Sequence, residues 1–506
     1  MFWSDLLEEH ADEAAFLFGL RGGAFSSRAY DLESSARLEE RLRAHLDGLV
    51  LGDADGWKVV EPLLASKIPG EAFVAAFVAA TTGEPSRVAA LAAALAAPAC
   101  AEGLGWGLRL AEGEADRALE RLARDEALAA RALAADALAF RGRTVPPDQV
   151  AALFASGDPL AARCGVEIAG RLRMAAARPA LVAHARSADP ALATAALESA
   201  LLAGAPEAVA ACRDGAARED AAGAAAIRLL GVAGEARDHA LLARAAKSAP
   251  HARSAVLALG RHGYPASIDA LIDATAERKL ARAAGLALCT MLGIDLAAEQ
   301  LVAEGPPPER VAVAAGAPGA GAVSARGTAG AASAGGPGAS IAGGPAPASA
   351  PAPTPAPAPA PKIPSPRPWE IEIADAEAEA ADDLAEDEVE EDLALDPDEG
   401  LPWPDHERLR AWWARRTPKP PPDTRLRGGQ PFSWDAILAE VRSAALPDRD
   451  DALRECALRL GALPVFERRA WARDQRAAAA ALVAAIAPAA RGAAPGTWTT
   501  ITNARG

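Results

Sequence analysis

Aromatic side chains are scarce. They make up 4% of a 506-residue chain that is nonetheless 51% apolar, so alanine has to supply most of the interior. Alanine is the strongest helix former and a weak strand former, and a core built from it means helices packed close through small side chains. An all-α fold follows from this before any pattern is read. The five cysteines, Cys100, Cys164, Cys212, Cys289 and Cys456, show no CxxC spacing that would hold zinc or form a redox pair. They read as small buried residues of a reducing compartment. The seven histidines include no HxxxH or HExxH, and there is no GxSxG nucleophile elbow. The cluster Gly103-Leu-Gly-Trp-Gly107 lacks the Lys-Ser/Thr of a phosphate loop and reads as a loop between helices with Trp106 packed over it. No catalytic, cofactor-binding or metal-ligating residue is therefore assigned.

Long hydrophobic runs are missing too. Residues 477–490 are uncharged but interrupted by Pro488, and 327–361 hold only Gly, Ala, Ser, Thr and Pro around a single Ile341. Neither meets the roughly 20 apolar residues of a membrane span. The first residues, Met-Phe-Trp-Ser-Asp-Leu-Leu-Glu-Glu, are acidic where a signal peptide is basic, so a cytoplasmic location is expected. Net charge is −16, and 369–400 alone holds sixteen Asp and Glu with no Lys or Arg. The remainder is near neutral and lacks the basic footprint that nucleic acid or an acidic membrane surface requires.

What is present is a repeat. Four segments, beginning at Gly165, Ala196, Ala226 and Ala255, place the small residues Gly170, Ala200, Gly231 and Gly260 at steps of 30, 31 and 29. Asp158-Pro159 and Asp189-Pro190 each set a capping acid before a proline suited to a first helical turn. A second helix opens near Pro179, Pro206, Glu235 and Pro265. Each unit is a helical hairpin too small to bury its own apolar face, and stacking makes the core continuous. Stepping by thirty reaches Phe140, Leu110, Ala80 and Val50 in one direction and Leu292 in the other. The pattern predicts a HEAT-like α-solenoid over 1–304, its repeats running from about residue 35.

From Gly305 the composition turns to Gly, Ala, Pro and Ser, with nearly strict Ala-Pro alternation over 345–361, followed by the acidic tract. Residues 305–400 cannot bury enough apolar surface to offset ordering entropy and are expected to be a disordered linker. Helices are expected over Ser433–Ala444, Asp450–Leu460 and Glu467–Ile486, broken at Leu446-Pro447 and 461–464, within a C-terminal segment 401–487 that docks on an exposed end of the solenoid. A flexible tail, 488–506, closes the chain.

The repeats resemble the short HEAT repeats of chromophore-lyase-like proteins. More specifically, Glu13-Ala-Ala-Phe-Leu17 with Arg21, then Leu38 to Leu49 containing Arg41, His45, Leu46, Asp47 and Gly48, then Gly56-Trp57, resemble the opening of an uncharacterised bacterial HEAT-repeat family often encoded near type VI secretion genes. The resemblance resumes at Arg427, Gly429 and Pro431 and at Pro464 to Trp471, with Phe466, and at Gln475. It skips 305–400. It implies a fold and a genomic neighbourhood, and no reaction.

The resulting expectation is a non-catalytic scaffold or adaptor that binds a protein partner, without cofactor or metal. Aromatic and Arg residues concentrate near the C-terminus, and Trp403, Trp412, Trp413, Arg415, Arg416, Arg469 and Trp471 are candidate partner contacts; alternatively the aromatics form that segment's own core. A lyase or isomerase would need ionisable residues converging on the concave face. A DNA-binding solenoid would need a basic one, for which only Arg163, Arg171, Arg173, Arg178 and Arg186 are locally dense.

Overall fold

The computed structural model describes residues 2–308, 398–459 and 467–490. The backbone divides into two units, Met1–Arg310 with Leu395–Gly506, and Val311–Ala394. The second unit lies outside the described residues, as do nearly all of the expected linker, Phe466, and 491–506 of the expected tail.

The first unit is an all-α array of hairpins. Its inner helices are Pro69–Thr82, Ala101–Leu110, Leu128–Phe140, Pro159–Arg171, Pro190–Leu202, Ala221–Ala233, Ala252–His262 and Ala281–Leu292, each packed on the next. Outer helices such as Arg178–His184 and Ala208–Gly215 return the chain between them. The capping acids act as expected: Asp158 accepts a hydrogen bond from the Ala161 amide and Asp189 from the Ala191 amide, with proline in the first turn.

Repeat anchors are the points of closest approach. A Cβ on Gly170 would stand 2.7 Å from Ser199 Cβ, one on Gly231 2.8 Å from Ala258 Cα, and one on Gly260 2.7 Å from Ala287 Cα. No side chain fits there, so the small residues set the step from helix to helix. The same device corrects the reading of 103–107, which is helix rather than loop. A Cβ on Gly103 would meet the Pro69 carbonyl oxygen at 2.3 Å, and one on Gly107 would meet Ala76 Cβ at 2.6 Å. Glycine weakens an isolated helix by about 1 kcal/mol relative to alanine, and the close packing it permits overrides that cost.

The array starts earlier than the periodicity indicates. Helix Phe2–Ala24 packs on Leu32–Leu51 and on Pro69–Thr82, and so is itself the first member of the stack. Val50 therefore belongs to a returning helix, not an inner one. The linker boundary shifts as well. Asp398 is buried and ion-paired with Arg253 at 2.7 Å, and Val302 bridges to Pro404, so 398–400 belongs to the folded unit.

Beyond 400 come helix His406–Arg415, a small hairpin pairing Leu426–Arg427 with Gln430–Pro431, and helices Trp434–Ser443, Leu446–Arg459 and Ala472–Ala490. Leu446-Pro447 opens a helix instead of breaking one, because proline is tolerated in a first turn. The last helix begins five residues later than expected and runs through Pro488. No helix among the described residues is long and apolar enough to cross a membrane.

Replacing Gly260 by Leu should destabilise the protein by about 1–3 kcal/mol, since overpacking forces the backbones apart. A denaturation midpoint equal to that of the parent would show that this approach is not tight.

Candidate functional site

Only part of the C-terminal segment caps an end. Helix His406–Arg415 packs on Ile268–Ala274 at the last hairpin, with Leu409 and Trp413 buried and His406 Nδ1 2.9 Å from the Ile272 carbonyl oxygen. The rest turns back across the inner helices. Leu446–Arg459 packs on Pro190–Leu202 and Ala221–Ala233, and Ala472–Ala490 reaches Leu32–Leu51 in the first hairpin. This corrects the expectation of docking at one end: the segment spans the array.

Helix ends explain the path. The last carbonyls of a helix have no partner within it, and this segment brings donors to several of them. The Leu426 amide donates to the Gly263 carbonyl, and those of Gly428 and Gly429 donate to Thr290 and Met291. Arg425 donates to the carbonyls of Arg261 and His262, each at 2.9 Å. Trp471 Nε1 donates to that of Leu110 at 3.0 Å.

At the centre lies Glu455, fully buried and bound by Arg425 at 2.6 Å, Arg427 at 2.9 Å and Arg459 at 2.6 Å. Burial pushes its carboxyl up, but the three guanidinium groups outweigh burial and hold it down at about 2. Arg425 and Arg427 are thus interior groups.

Near the first hairpin, Arg21 and Glu39 form a buried pair at 2.8 Å. Arg21 also donates to the Arg469 and Ala470 carbonyls and stacks 5.3 Å from the Trp471 ring, while Glu39 accepts from the Ala472 amide at 2.5 Å. Gln475 accepts from Arg449 and donates to the Ala470 carbonyl. The two stretches that carry the family resemblance therefore meet in space. Gly429, with positive φ, lies against the Leu292 carbonyl. His45 approaches His10 with Nδ1 atoms 3.0 Å apart, and Gly48 leaves room for the His10 ring. Leu46 is buried, Arg41 and Asp47 are exposed, Glu13 is half-buried, and Trp57 lies under Arg87.

The seven candidate contacts do not form one surface. Trp413 and Trp471 are core residues. Trp403 lies under Arg282, and Trp412 donates to Glu299 and stacks with Arg416. Arg415 is exposed beside them at the last hairpin, whereas Arg469, over Phe25, is at the other end of the segment. Trp413 and Trp471 are buried in the core of the array and Trp403 and Trp412 contact its residues, so these aromatics do not form a core of the segment's own; Phe432 and Trp434 pack in a separate cluster there.

Between the inner helices and the segment is a chamber of about 1010 Å³. Equivalent positions of four successive inner helices hold Asp136, Glu167, Glu198 and Arg228 at steps of 31, 31 and 30; the last three line the chamber, while Asp136 is buried outside its lining. Arginine holds each acidic member of this row. Asp136 pairs with Arg109 and Arg171, Glu167 with Arg109 at 2.9 Å, and Glu198 with Arg468 at 2.6 Å and Arg454 at 3.2 Å from the segment. Burial works against Glu167 and Glu198, but their arginines bring both down to about 2. Glu467 differs. Burial raises it, and although Arg171 lies 3.0 Å away, that cation is shared with Asp136, whose charge pushes Glu467 the same way as burial. The arginines once grouped as a basic run are similarly engaged: Arg163 with Glu167, Arg173 and Arg178 with the carbonyls of Leu202 and Ala203, and Arg186 with Asp214.

Glu167, Glu198 and Glu455 have folded values near 2 against an ordinary 4.5. Their stabilisation is complete above about pH 4.5 and is lost as pH falls toward about 2, because the unfolded chain takes up protons first. A chain cut within 345–361 should elute as one species at pH 7 and separate near pH 3; separation already at pH 7 would show that the segment is not held by these contacts. Glu455→Ala should cost about 3–5 kcal/mol in urea unfolding by removing the carboxylate that three buried guanidinium groups share. No protein-family model and no curated protein matches this chain.

Proposed function

We propose that the protein is a non-catalytic scaffold that binds a protein partner through the outer face of its first helix, in the type VI secretion setting that the family resemblance implies. The observation that carries this reading is the asymmetry of the two ends. The last hairpin is covered by the chain's own helix His406–Arg415. On the first helix Trp3 is 55% and Phe16 65% exposed, and Leu6 and Leu20 are exposed beside them.

Terminal units of a solenoid ordinarily carry a polar outer face, because no neighbour covers them. Helix Phe2–Ala24 has Leu7, Ala14 and Leu17 buried on one side, with Trp3 one turn before Leu7 on that same stripe, and exposed Phe16 and Leu20 on the opposite side, a pattern suited to a helix covered on both sides. Exposed Asp5, Glu9 and Asp12 continue the stripe of Phe16 and Leu20 toward the start of the helix. Such a surface suits an amphipathic helix with basic flanking residues, seated as one more layer of the stack.

A catalytic alternative draws on Glu467, the chamber carboxyl that burial raises, because a raised carboxyl in a cleft is a possible general acid. Against it, the paired carboxylates Glu167 and Glu198 are held ionised, and burial drives the Cys164 thiol, which lines the same chamber, well above its ordinary value.

Affinity purification from the native cell should recover a defined partner with the parent chain and lose it with Phe16→Asp/Leu20→Asp. Both side chains are solvent-exposed, so the melting temperature should stay within a few degrees. Retention of the same partner by the double variant would rule out this surface.

A further inference from the structure

The fourth position of this row breaks the pattern of the first three. Where the preceding inner helices carry Asp136, Glu167 and Glu198, helix Ala221–Ala233 carries Arg228. Among the described residues its guanidinium takes part in no ion pair or hydrogen bond. The nearby carboxylates are already engaged. Glu198 is bound by Arg454 and Arg468, and Asp451 by Arg454 at 2.7 Å and by Arg261 at 3.5 Å. Arg454 itself repels Arg228.

One helical turn earlier, the matching positions on three successive inner helices are Arg163, Thr194 and Ala224. Side chains of a helix lean toward its N-terminus, so Arg228 projects over Ala224, beside Thr194. The Thr194 hydroxyl is covered and has no hydrogen-bond partner. Arg163, half-exposed on the far side of Thr194, has one carboxylate contact, to Glu167 at 3.1 Å. A guanidinium without a carboxylate, a hydroxyl without an acceptor and a second, partly exposed guanidinium thus line one wall. Arginine presents a planar fork of donors that matches an oxyanion. The chamber is at the upper end of the range that holds an organic ligand, well above the size of an inorganic ion.

We propose that this wall is a binding site for a small organic oxyanion, bearing phosphate or carboxylate, held chiefly by Arg228, with Arg163 beside it and Thr194 supplying a hydrogen bond once its cover shifts. The site is separate from the outer face of the first helix and does not depend on the partner proposed there.

The test uses the full chain and two probes, inorganic phosphate and citrate, titrated calorimetrically against chloride at constant ionic strength. Saturable binding of either probe, weakened at least ten-fold by Arg228→Ala, supports the site; the tighter probe tells a phosphate-bearing ligand from a carboxylate-bearing one. Arg228→Lys keeps the charge and loses the fork, and should fall between parent and Arg228→Ala. Thr194→Val should weaken binding several-fold while leaving the anion-free melting temperature unchanged or raised, because it removes an unsatisfied hydroxyl. Arg228 makes no bond whose loss would unfold the chain, so the anion-free Arg228→Ala protein should melt with the parent. Absence of saturable binding for both probes, or equal binding by the parent and Arg228→Ala, overturns the proposal.

Discussion

Inner helices of this protein touch backbone to backbone, and that contact sets everything built on them. Where Gly170 faces Ser199, Gly231 faces Ala258 and Gly260 faces Ala287, no added Cβ would fit. The fixed step keeps equivalent positions of successive helices in line. Asp136, Glu167, Glu198 and Arg228 therefore form a single row, in which arginines of neighbouring inner helices answer Asp136 and Glu167 and arginines from a distant part of the chain answer Glu198. With larger residues at the anchors the helices would splay and the row would lose its register.

The second constraint is the exposed end of each inner helix. Carbonyls left open at Leu110, at 261–263 and at 290–291 are met by donors from a segment more than a hundred residues away in sequence. Apolar contact would suffice to hold the segment somewhere on the array. The directional bonds and the Glu455 cluster select one path, since a half-satisfied set of buried charges is worse than none. The same path leaves a chamber beneath the segment and leaves the first helix uncovered, so the two proposed binding surfaces are consequences of how the array is closed.

Local rules account for what was legible in advance. The Asp-Pro starts, the thirty-residue step and the small anchors all concern residues within one or two turns or one repeat of each other, and each keeps its meaning in the fold. The 103–107 segment was misread because glycine's low helix propensity is visible locally, whereas the neighbouring backbone at Pro69 and Ala76 that requires it is not. Trp413 and Trp471 looked like contact residues because composition marks aromatics without saying which side faces the solvent.

By itself, then, the sequence determined the all-α class, the hairpin repeat and its anchors, because helix propensity, capping and periodicity act over short distances along the chain. Tertiary structure alone decided that Arg21 would meet Trp471 across 450 residues, that Glu455 would gather Arg425, Arg427 and Arg459, and that Arg228 would face the chamber without a carboxylate. Charge pairing across such separations depends on where the helices place the side chains. An arginine reads the same in sequence whether it ends up saturated in a core or open to a ligand.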